Sequence, residues 1–269
     1  MEIWKIILLS AMVPIFWPVL RNSSVKFGWT AVNYKNMYIP FTLGIVLLLF
    51  VFNFILLWPP DHLLAFMVYI VGIWTAGWID DVRGSDYPKG IKGHMYFFIK
   101  KGEWTTGLTK IVIIVISASV SLLLAEATMQ IGTVITFMLF VLSPHVCNSL
   151  DTRPLRVWKW VSIHVLMLLI FLSVRPVPGM LFYIVVAMGV WGYLEITKKG
   201  MLGDNGAALA GGIIAWVGMQ FFPFSIQLFF MGILVGITYL AEKISIHAFI
   251  EKVHILKEID HLGRRERME

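Results

Sequence analysis

The chain has 269 residues, 58% of them hydrophobic and only 14% charged, with a mean hydropathy of +0.80. Soluble globules are near half apolar and a quarter charged, so this composition belongs to a membrane protein. The single cysteine, Cys147, excludes a disulfide framework, and the net charge of +6 is not arranged as a basic stripe with interleaved aromatics, which argues against nucleic acid as a partner.

Apolar segments long enough to cross ~30 Å of hydrocarbon fall near residues 3–20, 38–58, 62–79, 109–126, 130–147, 158–175, 177–194, 207–222 and 225–241. The first carries Glu2 and Lys5 and is interrupted by Pro14 and Pro18. It has no small-residue cleavage site after it, and reads as a retained span rather than a signal peptide. Cys147, at the end of the fifth segment, reads as a small core residue. The prediction is an all-α polytopic membrane protein of about nine transmembrane helices: a transmembrane catalytic domain over 1–241 and a tail over 242–269. The tail, EKISIHAFIEKVHILKEIDHLGRRERME, is too charged to span. Ile246, Phe249, Ile250, Val253 and Leu256 share one helical face, which predicts an amphipathic helix on the membrane surface. His247, His254 and His261 recur every seven residues and would share another face.

The connections alternate in charge. Segments 21–37, 80–110, 148–159, 195–206 and 242–269 hold every Lys and Arg except Lys5 and Arg175. The positive-inside rule then puts the N-terminus outside and the C-terminus in the cytoplasm. Trp17, Trp58, Trp104 and Trp158 lie near span ends, as interfacial anchors do.

Three polar clusters fall at span ends on that cytoplasmic face. They are GWIDDVRGSDYPKGIKGH (77–94), PHVCNSLDTRPLR (144–156) and KKGMLGDNGAALAGG (198–212). A carboxylate near the bilayer is costly, so it normally marks a site and has partners. Aspartates converging with lysines and arginines suit a magnesium-bound phosphate ligand, because magnesium takes one or two carboxylates plus phosphate oxygens and water. Gly90 and Gly93, set between lysines, would let backbone N–H groups approach an anion. The small residues after Asp204 allow close helix packing, with Asp204 in a crevice at a helix start.

Together these motifs resemble the polyprenyl-phosphate N-acetylhexosamine-1-phosphate transferases. That family includes phospho-N-acetylmuramoyl-pentapeptide transferase and the transferases that load GlcNAc-1-phosphate onto undecaprenyl phosphate. The resemblance rests on Asp80-Asp81, Asn148-x-x-Asp151 and Gly203-Asp204-x-Gly206 in the family's order, with a degraded form of its second-span start in NYKNMYIPFTLGI (33–45). It implies a bacterial plasma-membrane enzyme with a cytoplasmic site, moving a sugar-1-phosphate from a UDP-sugar to polyprenyl phosphate with release of UMP, in cell-wall or surface-glycan synthesis. Magnesium, or manganese in its place, would be held by Asp204 with Asp80 or Asp81. Lys89, Lys92, Arg153 and Arg156 would clamp phosphates, and Asn148 and Asp151 would hold the nucleotide. The family's histidine cluster is missing, and His94, His247 and His254 are the candidates to replace it as substrate contacts. A homodimer is left open. The rival readings are an intramembrane prenyltransferase, which would need fuller aspartate-rich motifs, and a non-catalytic binding or transport protein for lipid-linked precursors.

Overall fold

Each apolar segment predicted to span contains a helix over most of its described residues, although the second opens on a short strand. The computed structural model describes residues 3–84, 90–128, 130–171 and 178–264. In chain order they form α1 (Ile3–Lys26), β1 (Thr30–Val32), β2 (Tyr38–Pro40), α2 (Leu43–Leu57), α3 (Leu63–Arg83), α4 (Ile91–Lys101), α5 (Thr106–Leu124), α6 (Ile131–Leu150), α7 (Arg156–Phe171), α8 (Pro178–Ile196), α9 (Gly203–Phe221), α10 (Phe224–Lys243), α11 (Ile246–Lys252) and α12 (His254–His261).

Six of these helices, α1, α3, α5, α6, α8 and α10, are long and apolar enough to cross a membrane. At 15 and 16 described residues, α2 and α7 are shorter, and α9 opens on a polar Gly-Asp-Asn-Gly turn. Exposed Ile7 and Ile15 on α1, Leu166 and Ile170 on α7, and Val185 on α8 give the outer surface the apolar character that lipid requires.

The centre of the molecule is α9. Thirteen of its residues, from Gly203 to Gly218, are buried, and it packs against α2, α3, α6 and α7. Its glycines and alanines make this geometry attainable. A Cβ on Gly77 of α3 would lie 2.4 Å from the Asp204 carbonyl oxygen, and one on Gly206 would lie 3.0 Å from the Cα of Gly44 in α2. Backbones this close exclude any side chain, the small-residue packing that membrane helices use. Around this centre, α5 backs α3, and Ser121 donates to the Ala65 carbonyl at 2.9 Å. Tyr69 of α3 donates to the Phe140 carbonyl of α6 at 2.7 Å with the two rings stacked. Each such bond satisfies a polar group that would otherwise be stranded in an apolar interior. Cys147 is fully buried, as its sequence context predicts.

Three elements depart from the sequence reading. The all-α expectation misses a short antiparallel hairpin, with Ala31 opposite Ile39. It is turned by Asn33, whose side-chain oxygen accepts from the N–H groups of Lys35 and Met37. The 80–110 connection contains a helix, α4, whose last turn carries Lys100 and Lys101. The tail is not one helix. Val253, at φ −96° and ψ 107°, ends α11 and starts α12, so the seven-residue spacing of His247, His254 and His261 does not put them on one face.

Candidate active site

The site begins with how α9 begins. Gly203 turns the chain at φ +69°, leaving the first N–H groups of α9 without intrahelical partners. Asp81 of α3 supplies them: Oδ1 accepts from the Asp204 N–H at 2.9 Å, and Oδ2 accepts from the Asn205 N–H at 2.9 Å. The Asn205 side-chain amide also donates to Oδ2, at 2.6 Å, and to the Phe41 carbonyl at 3.3 Å. A carboxylate at a helix N-terminus is favoured by both hydrogen bonding and the helix dipole. Both oxygens of Asp81 are thereby committed to holding α9 in place. The 33–45 segment shares the task, since Pro40 accepts from the Met201 N–H at 2.9 Å.

Asp80, one residue earlier, lies about 100° around the helix and has different company. It shares the ammonium of Lys110 with Asp204: Lys110 Nζ is 2.6 Å from Asp204 Oδ2 and 3.5 Å from Asp80 Oδ2. Lys110 is buried within α5, one turn inside a helix start capped by Thr105, whose hydroxyl accepts from the Leu108 N–H. The two carboxylates are more open, with 20% and 34% of their side chains exposed. Sequence reasoning missed Lys110. Its signal was present, because a lone lysine within TGLTKIVIIV must find an anionic partner or the water surface.

At the end of α6 the two motif residues reach the same region. Asp151 lies within electrostatic reach of Glu195, Asp204, Asp81 and Lys110. Burial, then the neighbouring carboxylates, pushes its carboxyl well above the usual range, with Lys110 pulling against them. One and nearly two turns earlier, Asn148 Oδ1 and His145 Nε2 are buried without a hydrogen-bond partner among the described residues. His145 also lies within electrostatic reach of Lys110 and Glu242. The helix ends bearing the three aspartate motifs therefore meet at one end of the bundle.

The remaining predicted residues fall into other settings. His94 is beside the centre, with Nδ1 2.9 Å from the Thr105 hydroxyl and its ring against Gly107 of α5. Lys92 is exposed, and Lys89 lies outside the described residues. The glycine loop does not offer its first helical N–H to an anion: Glu242 of α10 takes the Ile91 N–H at 2.7 Å. Arg153 stacks over the Tyr34 ring at 4.6 Å and is 3.2 Å from His247 Nε2. Arg156, expected to clamp phosphate, is buried and bidentate on Asp260 of the tail at 2.8 and 2.7 Å. His247 Nδ1 is 3.0 Å from the same guanidinium. Partial burial and the two arginines hold the His247 imidazole below its usual range. His254 is exposed, and His261 pairs with Glu251 at 3.3 Å.

Chemically, three carboxylates, Asp80, Asp81 and Asp204, lie within electrostatic reach of Lys110. Among the described residues no three His, Cys, Asp or Glu side chains form a ready-made metal cage. Two carboxylates converging on one cationic point, with an open side for ligand oxygens and water, fit magnesium's habit. Here the Lys110 ammonium stands at that point. Comparison of the chain with protein-family models finds no match, and comparison with curated proteins finds none either.

Proposed function

We propose that this chain is a membrane sugar-1-phosphate transferase. It would move a sugar-1-phosphate, with an N-acetylhexosamine as the expected sugar, from a UDP-sugar to polyprenyl phosphate on the cytoplasmic side of a bacterial plasma membrane, with nine helices crossing the bilayer. The observation that carries the reading is the pairing of Asp80 and Asp204 on one buried lysine, at the partly open end of an apolar helix bundle. The acceptor's tail would stay in lipid while its phosphate reached the nucleotide sugar from water.

In this reading a phosphate oxygen of the lipid attacks the sugar-bearing phosphorus of the donor. The new P–O bond forms as the bond to the bridging oxygen breaks, and UMP leaves with that oxygen and its electron pair. Such a transfer asks a protein for positioning and charge neutralisation more than for covalent help. Asp80 and Asp204 would hold magnesium, which when bound neutralises diphosphate charge and stabilises the departing UMP. Lys110 holds the two carboxylates together and would share in neutralising the diphosphate. Asp81 fixes the α9 start, so that Asp204 is held in one place. Asn148, with a buried oxygen that has no partner among the described residues, and Asp151 would face the nucleotide, and Arg153 and Lys92 its phosphates.

The test is incubation of purified protein with UDP-GlcNAc, undecaprenyl phosphate and magnesium, with a panel of other UDP-sugars alongside. Release of UMP with formation of a lipid diphosphate-sugar is expected. Consumption of a prenyl diphosphate instead would make the chain a prenyltransferase. No turnover with any donor would favour a binding or transport role.

A further inference from the structure

The turn between α6 and α7 carries Asp151 and is held by Arg156 at the start of α7 and by two groups from elsewhere in the chain, Glu195 and Arg264. Thr152 Oγ1 accepts from Arg156 Nη1 at 2.5 Å, the Pro154 carbonyl accepts from Arg264 Nε at 3.3 Å, and the Leu155 N–H donates to Glu195 Oε2 at 2.7 Å. Leu155 sits at φ +66°, a left-handed conformation that a branched side chain adopts only under outside constraint. Two of the three holding groups, Arg156 and Arg264, end on the same carboxylate. Asp260 takes both arms of the Arg156 guanidinium and also the Arg264 guanidinium. All three side chains are only 3–4% exposed. Lys159 completes the corner by donating to the carbonyls of Ile259 and Asp260 at 2.8 and 2.7 Å, at the end of α12.

We propose that Asp260 is a positioning residue. From the last turn of α12 it straps the 151–156 turn to the bundle and so sets where Asn148 and Asp151 stand in the site. The tail thus acts from behind the site, through the turn, rather than over it through its histidines. Removing the Asp260 charge would leave two nearly buried guanidinium groups facing one another without a counter-ion, and breaking such a pair from one side is far more costly than never having it. The turn would then be free to relax from the Leu155 conformation, carrying Asp151 with it.

The proposal rests on the transferase reading for its kinetic arm only, because the sole cysteine supplies a second, independent readout. Cys147 is fully buried on α6, one turn before Asp151. In purified full-length protein, Asp260→Asn should raise the rate of Cys147 labelling by N-ethylmaleimide at least tenfold, and Asp260→Glu should return it most of the way. Arg264→Gln, which removes the Pro154 contact and leaves the Arg156 pair, should give a rise of about threefold. If Asp260→Asn does not fold, the Arg264→Gln and Asp260→Glu rates decide alone. With UDP-GlcNAc and undecaprenyl phosphate, the same Asp260→Asn protein should show a KM for the nucleotide sugar raised tenfold or more, with the KM for the lipid within threefold of wild type. Labelling rates within twofold of wild type in every variant would overturn the strap, whatever the activity. Equal rises in both KM values would reduce Asp260 to a general structural role. Absence of turnover in the wild-type chain would refute the transferase reading and leave the labelling result to decide the strap.

Discussion

Two charged clusters lie at this end of the molecule, and they are built on opposite plans. Around Lys110, Asp80 and Asp204 share one ammonium with Asp81 close by, and the side chains of Asp80 and Asp204 are 20% and 34% exposed. Around Asp260, two guanidinium groups fill one carboxylate whose surroundings are closed to solvent. A carboxylate saturated with donors has no capacity left for a ligand, and its energy goes into holding chain segments together. A cluster with more carboxylates than cations is poised to take another positive charge. Arg156 and Asp204 both looked like phosphate-site residues in the sequence, and their partners in the fold assign them to different tasks.

The largest effect should come from breaking the open cluster at Lys110. Lys110→Met strips the shared counter-ion from Asp80 and Asp204, and UMP release should fall by ~10²–10³ or more, the scale of losing one charge-stabilising group. Turnover within a few-fold of wild type would show that the lysine only fills space. Next in size, Asp260 sharpens the contrast through pH. Burial works against its ionisation, but the hydrogen bonds and charge of Arg156, then Arg264, outweigh it and hold the carboxyl below the usual range. A depressed pKa gives stability that is present above the unfolded value of about 3.9 and is lost as pH falls through the lower folded value. Protease resistance of the tail should therefore be flat from neutral pH down to about pH 5 and fall only below about pH 4. Loss beginning near pH 6 would implicate His247 instead of Asp260. The smallest effect should follow Glu242→Gln, which weakens the carboxylate that seats the first turn of α4. A loss of about 1 kcal/mol, read as a modest drop in melting temperature, matches the usual worth of a helix cap.

Much of the architecture was legible because apolar runs in a membrane protein leave the backbone little choice but helix. Among the described residues each of the nine apolar segments overlaps a helix, the second only after the strand at Tyr38–Pro40. What escaped was decided by partners far along the chain. α4 is amphipathic and short, and its first turn is tied down by Glu242, 151 residues away from Ile91. The tail breaks at Val253, and its polar face is fixed by Arg156 and Lys159. At the site, the sequence placed Asp80, Asp81, Asn148, Asp151 and Asp204 near one another but gave no means of telling Asp80 from Asp81. That distinction depends on which of two adjacent side chains points at the α9 start. Lys110 was countable as a loop charge, and its importance emerges only from its burial between carboxylates of two other helices.

The division of labour between the adjacent aspartates is the central claim, and one paired measurement addresses it. Asp80→Asn and Asp81→Ala would each be purified and assayed for UMP release alongside thermal unfolding in the same detergent. The account predicts that Asp80→Asn loses at least a hundredfold in turnover, on the ~10²–10³ scale of a lost electrostatic contact, with its melting temperature unchanged. Asp81→Ala should lower the melting temperature by the loss of about 1–2 kcal/mol from an uncapped helix start. Full activity in Asp80→Asn, or an Asp81→Ala protein as stable as wild type, would contradict it.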